Sequence, residues 1–310
     1  MAASDINAVV RNAMPNRRRM KMRYQRLRGV LGALLEDPLA FIGIVLVVGF
    51  LLMAALAPVL APPAGNSSPY QMQRDYDNLR APPGTAGHVL GTTNTGGDIY
   101  HGIIWGSRFT LAISLIVVLS TSVFGTLMGG IAGYVGGWVD DLIMRLVDAM
   151  IAIPALVWTI AVVAALGPSI TNIIIGLSTM LWGTYARIMR GEVIHVKNEE
   201  YVQAAQIVGD GHPFIFLREV APNAVPPIFV QSTLYFGKVV LIAASVSFIG
   251  LAPLGLAEWG VMIAQGQQGL LAGRWWGSFF PGLAIFLWAM GWNVIGDRLR
   301  DVLDPHTDVQ

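Results

Sequence analysis

A lysine in the middle of an apolar run poses the sharpest chemical question in this chain. Lys238 stands about fifteen residues into Ala224–Leu251, a stretch that is otherwise uncharged. Near the centre of a bilayer a lysine costs at least ~2.5–3.5 kcal/mol, so it needs water, a counter-ion or a polar partner. Gln231, Tyr235 and Ser245 lie seven and three residues before it and seven after, spacings that a helix gathers on one face. Such a stripe lines a water-filled path, with Lys238 attracting a substrate carboxylate, or it meets another subunit and pairs with a carboxylate there.

The second concentration of polar residues is Glu199–Asn223, EEYVQAAQIVGDGHPFIFLREVAPN, an island between apolar runs. Its chemistry is that of contact. Tyr201–Val208 reads as a helix on which Ala204 and Ala205 leave a small flat patch, and Gly209 permits the positive-φ turn that stops it. Pro213 suits the first turn of a second short helix, to which Phe214, Ile215 and Leu217 give an apolar side. Pro222 and Asn223 end the island. Two short helices held by the spans could lie in a cleft of a partner, and larger side chains at Ala204, Ala205 or Gly209 would hold that partner off. The same small residues could instead pack the loop on its own spans.

Catalytic patterns are absent. There is no G-x-x-x-x-G-K-[ST] phosphate loop, since Gly237-Lys238 is followed by valine. The five histidines are scattered without an i, i+4 pair, and there are no cysteines, which excludes disulfides, thiol chemistry and cysteine-held metals. No serine sits in a nucleophile elbow, and no span carries paired carboxylates. The sequence therefore reads as a non-enzyme with no cofactor or metal of its own.

The elements that must position these residues follow from composition. Of 310 residues, 54% are hydrophobic and 13% charged, with a net charge of +1. Soluble domains carry about 25% charged residues, so the chain reads as an all-α integral membrane protein. Six spans are expected: Leu39–Leu60, Phe109–Tyr134, Met150–Leu166 with a kink at Pro154, Ile173–Ile188, Ala224–Leu251 and Phe279–Ile295. Gly125, Gly129 and Gly133 put a flat backbone face on the second span for helix packing. Gly136–Asp148 reads as a short charged turn, and Gly167–Asn172 as a tight outer turn. Pro253–Ser278 reads as an outer segment whose Trp259, Trp275 and Trp276 suit the headgroup level.

Fifteen of the twenty Lys and Arg fall in the N-terminal tail, two loops and the C-terminal end, which places both termini and the island in the cytoplasm. The parts are a basic tail (1–37), a first span with an outer loop (38–107), a five-helix core (108–300) containing the loop 190–223 between the fourth and fifth spans, and a short tail (301–310). The first span comes too late and runs too long for a cleavable signal and is expected to stay as an anchor. The basic tail reads as an electrostatic anchor at the inner leaflet, without the aromatic interleaving of a nucleic-acid binder.

The island resembles the coupling loop of binding-protein-dependent ABC importer permeases. That family's pattern is Glu-Tyr-Val-x-Ala-Ala, three residues, Gly, then Pro-Asn after a fixed gap. Glu200, Tyr201, Val202, Ala204, Ala205, Gly209, Pro222 and Asn223 fall on it. Similar wording recurs at Asp37–Pro62, Gly133–Asp140, Met144–Pro154, Ser247–Ala252, Pro281–Phe286 and from Asp297 onward. Gly91–Arg108 is similar too, with Thr93 and Gly97 where the family has Asp and Arg. Gln203 and Glu219 also depart from the pattern, and both change the loop's charge and so, by the resemblance, which ATPase fits.

The resemblance is to the second permease of dipeptide/oligopeptide-type importers. It implies half of a translocation pathway in the bacterial inner membrane and a heterodimer with a related permease. It also implies two cytoplasmic ATPase subunits that hold ATP and Mg, and an extracytoplasmic substrate-binding protein. Nickel and glutathione importers share this permease family and remain alternative substrate classes. An ion-coupled secondary transporter would need intramembrane carboxylates, which the spans lack.

Overall fold

The structure, a computed structural model, describes residue 29 and residues 32–63, 68–253 and 255–303. The basic run of the N-terminal tail and the end from Asp304 lie outside the described residues. Those described form helices, with isolated β-bridges and no named strand.

Asp37 caps α1 (Pro38–Ala55), its carboxylate accepting from the Ala40 N–H at 2.8 Å, while Pro38 takes a first-turn position that needs no N–H. α1 breaks at Leu56 and ends in the single turn α2 (Ala57–Leu60). A polar segment then leads to Asp98, which caps α3 (Ile99–Val135) by accepting from the His101 N–H at 2.8 Å. α3 therefore begins ten residues before the expected span at Phe109.

The expected charged turn at Gly136–Asp148 is instead a helix, α4 (Gly137–Ile151). Val147 is buried on α6, and Asp140 and Asp148 accept from Arg190 and Arg187, the Asp140–Arg190 pair being bidentate. Those carboxylates look like turn residues in sequence; their partners are 39 and 50 residues away. After a break at Pro154, α5 (Ala155–Leu166) leaves at 86° to α4. The region expected as a third span is thus a bent pair of helices, because the Pro154 ring cannot continue the helix of α4.

Asn172 bonds the Leu166 and Gly167 carbonyls across the tight turn into α6 (Ile170–Lys197). Then come α7 (Glu200–Val208) and α8 (His212–Ile215), a wide π turn over Phe216–Val220 and α9 (Ala221–Ala224). Pro222 sits in the first turn of α9, where its missing N–H is not needed, and the polar island ends there with Asn223. The long helix α10 (Pro226–Val246) passes into a second π segment, Ser247–Leu251. α11 (Trp259–Gln267) and α12 (Trp276–Leu303) complete the chain.

α3 against α6 is the most extensive packing. A Cβ on Gly125 or Gly129 would collide with the Trp182 or Ala186 carbonyl, and one on Gly133 would lie 2.8 Å from the Arg190 carbonyl. The glycine face is thus the seam between these two helices. Gly43 and Gly291 meet in the same way between α1 and α12.

Among the described residues, four helices are long and apolar enough to cross a membrane: α1, α3, α10 with its π segment, and α12; the bent pair α4–α5 makes up to five. α6, the expected fourth span, does not stand out by composition. It carries Arg187, Arg190, Glu192 and Lys197 in one half and is enclosed by α3, α4, α5 and α10, so little of it needs to be lipid-compatible.

Apart from Lys238, the ionic contacts gather at the two ends. At one end lie Asp140–Arg190, Lys197 donating to the Tyr134 carbonyl, and Arg298 beside Asp37. The start of α1 and the end of α12 thus share the end that carries α7–α9, termed inner. At the other end the segment before α3 is held by His88, whose Nδ1 lies 2.6 Å from Asp98 and Nε2 3.1 Å from Asp75. The Asp98 bond, with Asp75, raises the His88 pKa, and bonds from Asn78 and His88 lower Asp75 to about 2. Trp276 and Asn94 tie this segment to the far part of the chain. Trp259 does not face lipid headgroups: it is fully buried within the protein, its indole N–H donating to the Ile103 carbonyl.

Candidate functional site

The island folds as a compact helix–turn–helix. Gly209 stops α7 in the left-handed region, φ 92°, with open space around it. Pro213 occupies the first turn of α8. The unit is anchored from within: Val202, Ile215 and Val220 are buried in the main apolar cluster. Asn223 bonds the Tyr201 hydroxyl at 3.1 Å and the Glu219 carbonyl at 2.6 Å, joining the two ends of the island. From α3, Tyr134 donates to the His212 carbonyl at 2.9 Å and packs on Phe216 at 5.0 Å between ring centroids.

The opposite side of the island is exposed, with apolar residues set among the polar Gln203, Gln206 and Asp210. Ile207 is 86% exposed, Val208 82% and Leu217 69%, with Phe214 and Ala204 beside them. Next to α7, Lys197, Asn198, Gln203, Gln206 and Ile207 line a depression of about 470 Å³. Exposed isoleucine and valine at a helix end in a charged loop gain nothing in water, which makes this face a candidate contact surface.

The family-pattern residues divide between these two sides. Glu200, Ala204, Gly209 and Pro222 are exposed. Ala205 leans on the core cluster, so one of the two alanines does pack the loop on its own spans, while Tyr201 and Asn223 hold the loop closed. Gln203 is exposed, whereas Glu219 is buried beside Arg218 and lies off the bare face. Ile207 and Val208 are the strongest features of that face. Sequence reading passed over them because β-branched residues at a helix end look like core until their direction is known.

On α10, Gln231, Lys238 and Ser245 recur every seven residues, about two turns, and keep one line. Lys238 is exposed on that face and Gln231 and Ser245 are half-buried. Tyr235 leaves the stripe. It is 3% exposed, about 60° round the helix, with its ring 5.1 Å from that of Tyr185. It still serves Lys238, whose ammonium stands 5.0 Å from the Tyr235 ring centroid. Among the described residues no group of three or more His, Cys, Asp or Glu could hold a metal ion.

Residues 125–309 match the family described as binding-protein-dependent transport system inner membrane component. The chain belongs to this family. Residues 26–83 match the N-terminal transmembrane domain of oligopeptide transport permease C. The dipeptide transport system permease protein DppC of Alkalihalophilus pseudofirmus is 38% identical over 271 residues, 87% of this chain and 86% of that protein. The probable D,D-dipeptide transport system permease protein DdpC of Escherichia coli is 38% identical over 270 residues, 87% and 88% of the two chains. The glutathione transport system permease protein GsiD of Pectobacterium atrosepticum is 36% identical over 240 residues, 76% and 79%.

The chain is thus a multi-pass membrane permease of a binding-protein-dependent system, not itself an enzyme; ATP hydrolysis lies in partner subunits.

Proposed function

We propose that this chain is one of two related permease subunits of a dipeptide-type importer in a bacterial inner membrane, and that the bare face of α7–α8 seats in a cytoplasmic ATPase subunit. The observation that carries the docking reading is the pairing of a buried, hydrogen-bonded inner side with an exposed Ile207–Val208 tip. A loop that only joined two spans would not keep two β-branched residues in water. Two ATPase subunits bind ATP and Mg, one per permease, and an extracytoplasmic binding protein delivers the solute. The dipeptide assignment is supported by the names of the DppC and DdpC relatives; the glutathione relative keeps that solute as the second reading.

The membrane body in this proposal has six crossings, with α6 the enclosed fourth and α4–α5 the bent third. The Lys238 face of α10 turns toward the pathway formed with the second permease, where the ammonium attracts the substrate's carboxylate as it passes. Pairing with a carboxylate of the second permease is the competing role for the same residue.

The experiment is a double substitution, Ile207→Asp with Val208→Asp, in the assembled transporter. Both side chains are solvent-exposed, so membrane insertion and permease pairing persist, while ATPase retention falls at least tenfold and uptake is lost. Undiminished ATPase retention and uptake would remove the docking face from this loop.

A further inference from the structure

Between α1, α3, α10 and α12 lies a crevice of about 480 Å³ that the coupling loop and the Lys238 face leave unused. Leu51 and Ala54 of α1, Ala112 and Leu115 of α3, Phe236 of α10 and Trp288 of α12 make its walls apolar, and Arg108 is its one charged lining residue. Arg108 is also the last charge before the uncharged run Phe109–Val135. It therefore stands at the outer headgroup level, with the walls beyond it in the hydrocarbon.

The guanidinium is held in place but not neutralised. Its Cζ rests 5.3 Å from the centroid of the Trp105 ring, and that indole is itself fixed by donating to the Ala61 carbonyl at 2.7 Å. Arg108 has no ion pair among the described residues. A fixed fork of N–H donors above an apolar slot is complementary to a phosphate carrying an acyl chain.

The surroundings favour lipid over protein as the occupant. α1 is apolar on every side and turns Leu39, Ile42, Val45, Val48 and Leu52 outward. Protein interfaces within membranes favour small residues that let backbones approach, and this rim is bulky. Phe236 also lies about 200° round α10 from Lys238, so the crevice opens away from the face proposed above to meet the second permease. That last point rests on the pathway reading; the charge and hydropathy arguments do not.

We infer that the crevice is a phospholipid site, in which one acyl chain of an outer-leaflet phospholipid fills the slot and Arg108 holds its phosphate. The bound chain would pack α1 to α3 at the outer end, where the two helices leave the slot between them.

The test is native mass spectrometry of the complete transporter titrated with phosphatidylglycerol. The intact complex is expected to keep one phosphatidylglycerol that Arg108→Gln weakens by about tenfold or more, the usual effect of losing a charge-assisted hydrogen bond. Ala112→Phe, which fills the slot from an exposed position with Arg108 intact, is expected to weaken it comparably. Diacylglycerol with the same chains should bind at least tenfold less tightly than phosphatidylglycerol. Equal binding of diacylglycerol would overturn the phosphate role of Arg108. Unchanged phosphatidylglycerol binding in both variants, or a partner side chain found filling the slot in the assembled complex, would overturn the site. None of these readouts depends on uptake, so the result is separable from the fate of the docking and pathway proposals.

Discussion

At the scale of single residues, the chain separates groups that hold a structure from groups left over. Tyr235 and Lys238 show how closely the two kinds can sit. They share a helix and three residues of spacing, yet Tyr235 is packed on Tyr185 while Lys238 stands on the open face. Periodicity brought both to one side of α10 but could not tell a stripe from its buried edge, because that edge is set by α6. Replacing Lys238 with methionine keeps the length of the side chain and removes its charge. If the ammonium attracts a carboxylate in transit, Lys238→Met should lower uptake of free dipeptides at least tenfold, with less effect on peptides whose C-terminus is amidated. Uptake of both kinds at the native rate would remove Lys238 from the pathway. Loss of permease pairing in the same variant would assign it to the subunit interface.

At the scale of elements, the legible parts were those punctuated locally. Gly209 and Pro213 marked the stop of α7 and the start of α8, and the structure puts both where the sequence does. α4 was read as a turn because its carboxylates belong to α6 arginines that sequence proximity does not reveal. The wide π turn before α9 carries no local signal in the sequence, whereas Pro222 in the first turn of α9 suits the start of a helix. The Gly125–Gly129–Gly133 face was legible as a seam, though not its partner. Gly129→Leu should strip the α3–α6 contact, destabilising the permease by at least the ~1–3 kcal/mol of ordinary overpacking. Gly282→Ala, in a helix with open space around it, should be neutral or stabilising by up to ~1 kcal/mol. Thermal unfolding in detergent reads both, and equal midpoints would deny the seam.

The outer segment gives the element scale its pH dependence. Asp98 and Asp75 raise the folded pKa of His88. Its contribution is therefore complete below the ordinary histidine value of about 6.5 and fades as pH rises through the higher folded value. Asp75, lowered to about 2, contributes with the opposite sign: in full above the ordinary aspartate value of about 3.9, and lost only as pH falls toward 2. Hydrogen exchange of residues 69–98 should accordingly be slow at pH 6 and quicken toward alkaline pH beyond the intrinsic rate increase. His88→Ala should abolish that excess. A corrected rate that is flat with pH in the native protein would show that the histidine does not hold the segment.

At the scale of the whole molecule, the docking proposal makes the inner loop the point at which a partner drives the body of the permease. The absence of cysteines makes that claim directly measurable, since Ile207→Cys supplies the one thiol in the chain. In the assembled transporter, a short thiol-to-amine crosslinker at that thiol should capture an ATPase subunit, with a yield that changes when ATP is bound. A matching thiol introduced by Val59→Cys, exposed at the far end, should capture none. Crosslinks from Ile207→Cys to lipid or to this chain alone, with the ATPase captured elsewhere, would contradict the account.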